Sequence, residues 1–187
     1  MRIFRPFIPS LAMLLLASSG AGAQAVLIDK SEIRFVSRQM GVNVEGRFRK
    51  WKANVDFRPK DLARSKAEFT IDLGSIDLAS EESETEIRRP RWFDTAKFPV
   101  ATFQSTAMKD LGGDRYEVAG KLTVKGTARN ETIPIEIKKD AAGNSVATGE
   151  FTIRRLAFNI GDGHWADPAV VADEVVVRVR MVLPRAG

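Results

Sequence analysis
Few side chains in this sequence can do chemistry at neutral pH: 187 residues hold one histidine and no cysteine. His164 stands in Asn159-Ile160-Gly161-Asp162-Gly163-His164-Trp165, with Asp167 close behind. A histidine beside Asp162 or Asp167 could act as the general base of a hydrolase, or share a metal ion with them. Neither pattern is complete. No second histidine stands at ligand spacing, no HExxH-type motif occurs, and Gly161-Asp162-Gly163 is turn chemistry with no helix behind it to form a phosphate loop. The expectation is a non-catalytic protein with no metal and no cofactor, in which His164 makes local hydrogen bonds. The lack of cysteine removes thiol catalysis and thiolate metal sites. It also leaves the fold to be held by core burial alone.

The amino terminus points to export. Arg2 and Arg5 precede the apolar run Phe7 to Ala17, and small residues follow from Ser18 to Ala23. This is the layout of a secretory signal peptide spanning 1–23, with Ala21-Gly22-Ala23 at the cleavage site and Ala23-Gln24-Ala25 as a second choice. At about 11 residues the run falls well short of the roughly 20 that cross a bilayer as a helix. No other stretch approaches that length without charge, so no integral span is expected after cleavage. A domain over 24–187 remains, large enough for one sizeable core. The formal charge of +5 comes from 29 basic and 24 acidic residues. They are scattered, with no basic stripe of the kind nucleic acid needs.

The elements that must position any site read as strands. Ile33 and Phe35 alternate with Arg34, and Val55 and Phe57 with Asp56. Ala67, Phe69, Ile71 and Leu73 alternate with charged or polar residues, as do Ala101 and Phe103. The same period of two runs through Tyr116–Val124, Ile133–Ile137, Ala147–Ile153 and Val175–Met181. Such alternation describes half-buried antiparallel strands. Arg58-Pro59-Lys60-Asp61, Leu111-Gly112-Gly113-Asp114 and Asp140–Asn144 carry turn chemistry between them. About eight strands with short links predict an all-β protein, an up-and-down barrel or a sandwich. Leu78–Arg89 breaks the pattern: Ser80 is placed as an N-cap, acids come early and bases late, and one short helix is expected.

On the inward phase Phe35, Phe57, Phe69, Ile71, Phe103, Leu122 and Phe151 are interleaved with Ala67, Ala101, Gly120, Ala147 and Gly149. An eight-stranded barrel is near the size at which side chains fill the interior or leave room for one ligand. Small residues on several strands favour a cavity; interdigitated large and small residues are also ordinary core packing. From the pattern alone both readings stay open.

Ser75-Ile76-Asp77 and the run Trp92-Phe93-Asp94-Thr95-Ala96-Lys97-Phe98-Pro99 through Phe103-Gln104-Ser105-Thr106 resemble the YceI-like family. Tyr116 to Thr127, Gly46-Arg47-Phe48, the Phe158–Trp165 loop and Asp173-Glu174-Val175 extend the resemblance from roughly Val26 to Leu183. It implies a lipocalin-like, eight-stranded antiparallel barrel with one short helix. It also implies a periplasmic address and a polyisoprenoid or isoprenoid quinone held lengthwise inside. The wall would then be Phe35, Phe57, Phe69, Ile71, Ala101, Phe103, Leu122, Gly149 and Phe151. A head group would sit at the mouth near Arg88, Arg89, Arg91, Trp92, His164 and Trp165. One departure stands out. The family's R-D-x-H-L stretch on the helix is replaced by Ser83-Glu84-Thr85-Glu86-Ile87, so a role for that arginine and histidine does not carry over. A homodimer of barrels fits this picture. The competing expectations are an interaction or stress-response protein with a solid barrel, and the hydrolase built on His164.

Overall fold
The computed structural model describes residues 24–185, so the expected leader at 1–23 lies outside the described residues. A two-residue strand β1 (Gln24–Ala25) comes first. It is followed by β2 (Glu32–Gln39), β3 (Val42–Phe48), β4 (Trp51–Asp56) and β5 (Lys66–Asp72). After β6 (Ile76–Asp77) the chain forms helix α1 (Glu81–Ile87). The long strands β7 (Val100–Gly112), β8 (Arg115–Val124), β9 (Thr127–Lys139), β10 (Ser145–Arg154) and β11 (Glu174–Leu183) complete it. All eleven strands belong to one curled antiparallel sheet, in the order β1-β4-β5-β7-β8-β9-β10-β11-β2-β3-β6. Its two edges meet at one corner. β6 continues β5 after a single 3-10 turn, and Arg49 and Lys50 alone separate β3 from β4.

The period-two pattern marks eight of the long strands; β3 is the ninth, and β1 and β6 are two-residue bridges. Tight two-residue links hold neighbouring strands in register. Met40-Gly41 joins β2 to β3 and Lys125-Gly126 joins β8 to β9, with positive φ at all four residues. Two left-handed residues in sequence form the turn whose twist matches that of a hairpin. In β7 the register shifts between Ser105 and Ala107. A bulge of this kind re-aims the side chains beyond it. The inward phase accordingly passes from Ala101 and Phe103 to Met108, and Ser105 Oγ accepts a hydrogen bond from the Ala67 amide at 2.8 Å, where the β5–β7 ladder ends.

Helix α1 starts as its sequence requires: Ser80 Oγ accepts from the Ser83 amide at 3.3 Å, and Glu81, Glu82 and Glu84 fill the first turn. The Ser75-Ile76-Asp77 step ties the corner. Ser75 Oγ donates to the Asp72 carbonyl at 2.7 Å and accepts from the Lys50 amide at 2.9 Å. The Asp77 carboxylate accepts from Arg47 at 2.8 Å and Arg49 at 3.1 Å. Those two guanidiniums hold its carboxyl down to about 2.

The core divides along the length of the curl. One cluster gathers Leu73, Trp92, Ala101, Phe103, Leu122 and Phe158; the other gathers Val26, Ile33, Trp51, Val55, Met181 and Leu183. Phe48, Phe69, Ile71 and Met108 touch both.

Candidate functional site
Between the two clusters lies an internal cavity of about 240 Å³. Its wall is the inward phase of the strands. Ala67, Phe69 and Ile71 come from β5, Tyr116, Val118, Leu122 and Val124 from β8, and Val175, Val177, Val179, Met181 and Leu183 from β11. From Tyr116 to Val124 the β8 backbone covers about 26 Å at the usual strand rise, so the space is slender and runs lengthwise. Only Ser37, Trp92, Tyr116 and Arg155 among the lining residues carry side-chain oxygen or nitrogen. At the far end the Tyr116 ring meets Phe57 edge-on at 5.2 Å, and desolvation raises the Tyr116 phenol above its ordinary pKa.

Of the wall residues expected from sequence, Phe35, Phe57, Phe69, Ile71, Ala101, Phe103, Leu122 and Phe151 border the cavity; Gly149 does not. The reason is cross-strand crowding. A Cβ placed on Gly149 would lie 2.5 Å from Ile135 Cδ1 and 2.8 Å from the Pro134 carbonyl oxygen. Gly120 is covered in the same way by the Phe103 ring, and Gly46 by the Phe35 ring. These glycines make room for a neighbour's side chain, and the small residues that do border the hollow are Ala67, Ala101 and Ala147.

One end opens into a vestibule beneath α1, and Phe35, Ser37, Ile87 and Trp92 line both spaces. Of the six residues expected at a mouth, Arg89, Trp92 and Trp165 line this vestibule. Arg88, Arg91 and His164 do not. Arg88 is turned to the Glu84 carboxylate at 3.1 Å and to the Gly74 carbonyl at 3.2 Å. The Arg91 guanidinium lies over Gly163. His164 is exposed, its ring centroid 4.5 Å from that of Trp165. Among the described residues no hydrogen bond or ion pair joins His164 to Asp162 or Asp167.

Arg155 is the functional-looking residue that sequence reasoning missed. It is 2 % exposed and lines the cavity. Nε donates to the Ala172 carbonyl at 3.0 Å, and Nη1 to Ile160 and Gly161 at 2.8 Å each. Nη2 donates to Trp165 and Val171 at 2.6 Å each. All five guanidinium N–H groups are thus engaged by backbone carbonyls. Burial lowers its pKa, and the Asp173 carboxylate opposes that shift. The guanidinium also stands 5.8 Å from the Trp92 ring. It knits the loop between β10 and β11 over the cavity end. Its only sequence signal is an arginine at the end of a strand whose preceding inward positions are apolar.

Trp92 and Trp165 lie side by side, with ring centroids 5.5 Å apart. Both indole nitrogens are buried, and among the described residues neither has a hydrogen-bond acceptor. Nothing in this arrangement assembles a nucleophile with a base. What it can do is enclose a slender apolar chain and meet its end with indole N–H groups.

Known proteins place these features in context. The family described as "YceI-like domain" matches residues 25–183. A UPF0312 protein of Vibrio parahaemolyticus is 32% identical over 149 residues, covering 77% of this chain and 78% of its own. A UPF0312 protein of Yersinia pestis is 32% identical over 140 residues, covering 72% and 71%. Among solved structures, BcnA of Burkholderia cenocepacia superposes with a TM-score of 0.80 at 40% identity, over 84% of this chain and 98% of its own. A domain of Saccharophagus degradans described as polyisoprenoid binding superposes with a TM-score of 0.71 at 18% identity, over 88% and 99%. At that identity the likeness is one of fold.

Proposed function
Since the chain belongs to the family of YceI-like domains, we propose that it is a non-catalytic carrier that holds one long apolar isoprenoid lipid lengthwise in its curled sheet. The observation that carries this reading is the slender cavity of about 240 Å³, whose wall is apolar except at four residues. Each Å² of tail removed from water there contributes about 25 cal/mol, so a tail of several isoprene units needs little polar recognition. The description of the Saccharophagus degradans domain as polyisoprenoid binding agrees with this ligand class. The leader-like segment at 1–23 supports action in the periplasm, and no helix among the described residues is long and apolar enough to cross a membrane. A hydrolytic role draws no support from His164, which stands in solvent apart from both aspartates.

Native mass spectrometry of the protein purified from its own cell envelope tests the proposal. The expected spectrum shows the folded chain with one bound lipid, released intact on activation. A chain that emerges empty and takes up no prenyl lipid on titration overturns it.

A further inference from the structure
Resting on the lipid-carrier reading, we infer that the mouth selects an uncharged head group, and that the indole N–H groups of Trp92 and Trp165 are the donors that hold its carbonyl oxygen. Three independent features converge on this. The first is the pair of donors. Trp92 is 8 % exposed, both indoles line the vestibule, and both Nε1 atoms are buried without an acceptor. A buried donor with nothing to donate to costs free energy that any arriving acceptor recovers, and here two such donors stand on adjacent rings.

The second feature is charge. Glu81, Glu82 and Glu86 line the vestibule, against Arg89 alone, and Arg89 is already paired with Glu86 at 2.9 Å. A pyrophosphate brought there would meet like charge in a partly desolvated space. The third is that, among the described residues, the other nearby guanidiniums do not enter the vestibule to offset this. Arg88 is held by Glu84, Arg155 has all its donors on carbonyls, and Arg91, which lies over Gly163, does not line the vestibule. An oxyanion could bond to Arg155 only by displacing a carbonyl from it. A neutral carbonyl oxygen meets none of these obstacles, because it accepts from the indoles and carries no charge toward the glutamates.

Three probes with related branched chains separate the possibilities: geranylgeranylacetone, the hydrocarbon phytane, and geranylgeranyl pyrophosphate. Calorimetric titration of the full chain is expected to rank the ketone about tenfold tighter than phytane, with the pyrophosphate weakest. In indole ¹⁵N–¹H spectra, the ketone should shift the Trp92 and Trp165 resonances downfield, while Trp51, in the other core cluster, serves as the internal reference. Trp92→Phe and Trp165→Phe should each narrow the gap between the ketone and phytane affinities measured on that same variant. If a variant does not fold, the wild-type spectra and ranking still decide. Tightest binding of the pyrophosphate overturns the inference, and so does equal binding of all three, although either leaves the lipid carrier standing. Failure of every probe to bind removes the carrier and the head-group inference together.

Discussion

Ala101→Phe separates a hollow barrel from a solid one. Ala101 is 3 % exposed and borders the cavity between the two core clusters, so a phenyl ring there projects into open space. In a filled core such an insertion forces off-rotamer side chains and costs about 1–3 kcal/mol or more. In a cavity of about 240 Å³ the ring gains burial worth about 1.5–3 kcal/mol, which offsets most residual strain. Net stability in urea should therefore stay within about 1 kcal/mol of wild type. The lipid fares differently. A ring across a slender bore displaces roughly 100 Å² of tail contact, or about 2.5 kcal/mol at roughly 25 cal/mol per Å². Since every 1.4 kcal/mol is tenfold, the dissociation constant should rise by about 50- to 100-fold. Paired urea melts and prenyl-lipid titrations measure both quantities on one preparation. A variant that loses roughly 3 kcal/mol of stability and binds lipid as well as wild type refutes the reasoning.

Other expectations follow from the same geometry. Gly149→Ala should destabilise by about 1–3 kcal/mol in urea melts, because the new methyl would meet Ile135 and the Pro134 carbonyl and find no space. Arg155→Met removes five charge-assisted hydrogen bonds along with a desolvated cation. Stranding the carbonyls outweighs the relief, so the expected loss is about 3–5 kcal/mol, with hydrogen exchange accelerated first between Ile160 and Ala172. Asp77, held to about 2 by Arg47 and Arg49, is deprotonated at lower pH when folded than when unfolded. Its contribution is present above the ordinary carboxylate range and disappears as pH falls from about 4 toward 2. The stability difference between wild type and Asp77→Asn should shrink over that window, and a constant difference would count against the ion-pair account.

Much of the fold was legible because alternation is a strong signal when each strand supplies its own apolar face. Val175 to Leu183 and Tyr116 to Val124 do so, and both form strands whose inward residues border the cavity. Strand β3 does not. Its inward position Gly46 is covered by the Phe35 ring of β2, so the apolar bulk that belongs over it is written on another strand. The same transfer misled the reading of Gly149, which looks like empty space in sequence and is filled by its neighbours in the fold. The α1 boundary was readable from Ser80 and the acidic turn, since an N-cap is a local device. The mouth was not, because sequence proximity of Arg88, Arg89, Arg91 and Trp92 says nothing about which way each points. Arg155 was invisible for a further reason: its partners are backbone carbonyls, which leave no trace in side-chain identity.

The pairing of β2 with β11 has a consequence for how the protein is made. Val36 to Glu32 find their partners at Val176 to Arg180, and the Leu27 amide reaches the Val182 carbonyl at 2.8 Å. The first long strand thus waits for the last. While the polypeptide is still emerging into the compartment where it folds, β7 to β10 can zip up as consecutive hairpins, but the greasy inner surface stays uncovered until the final strand arrives. Cargo can be enclosed only after that moment, and a polypeptide ending short of Val176 would need a chaperone to shield it.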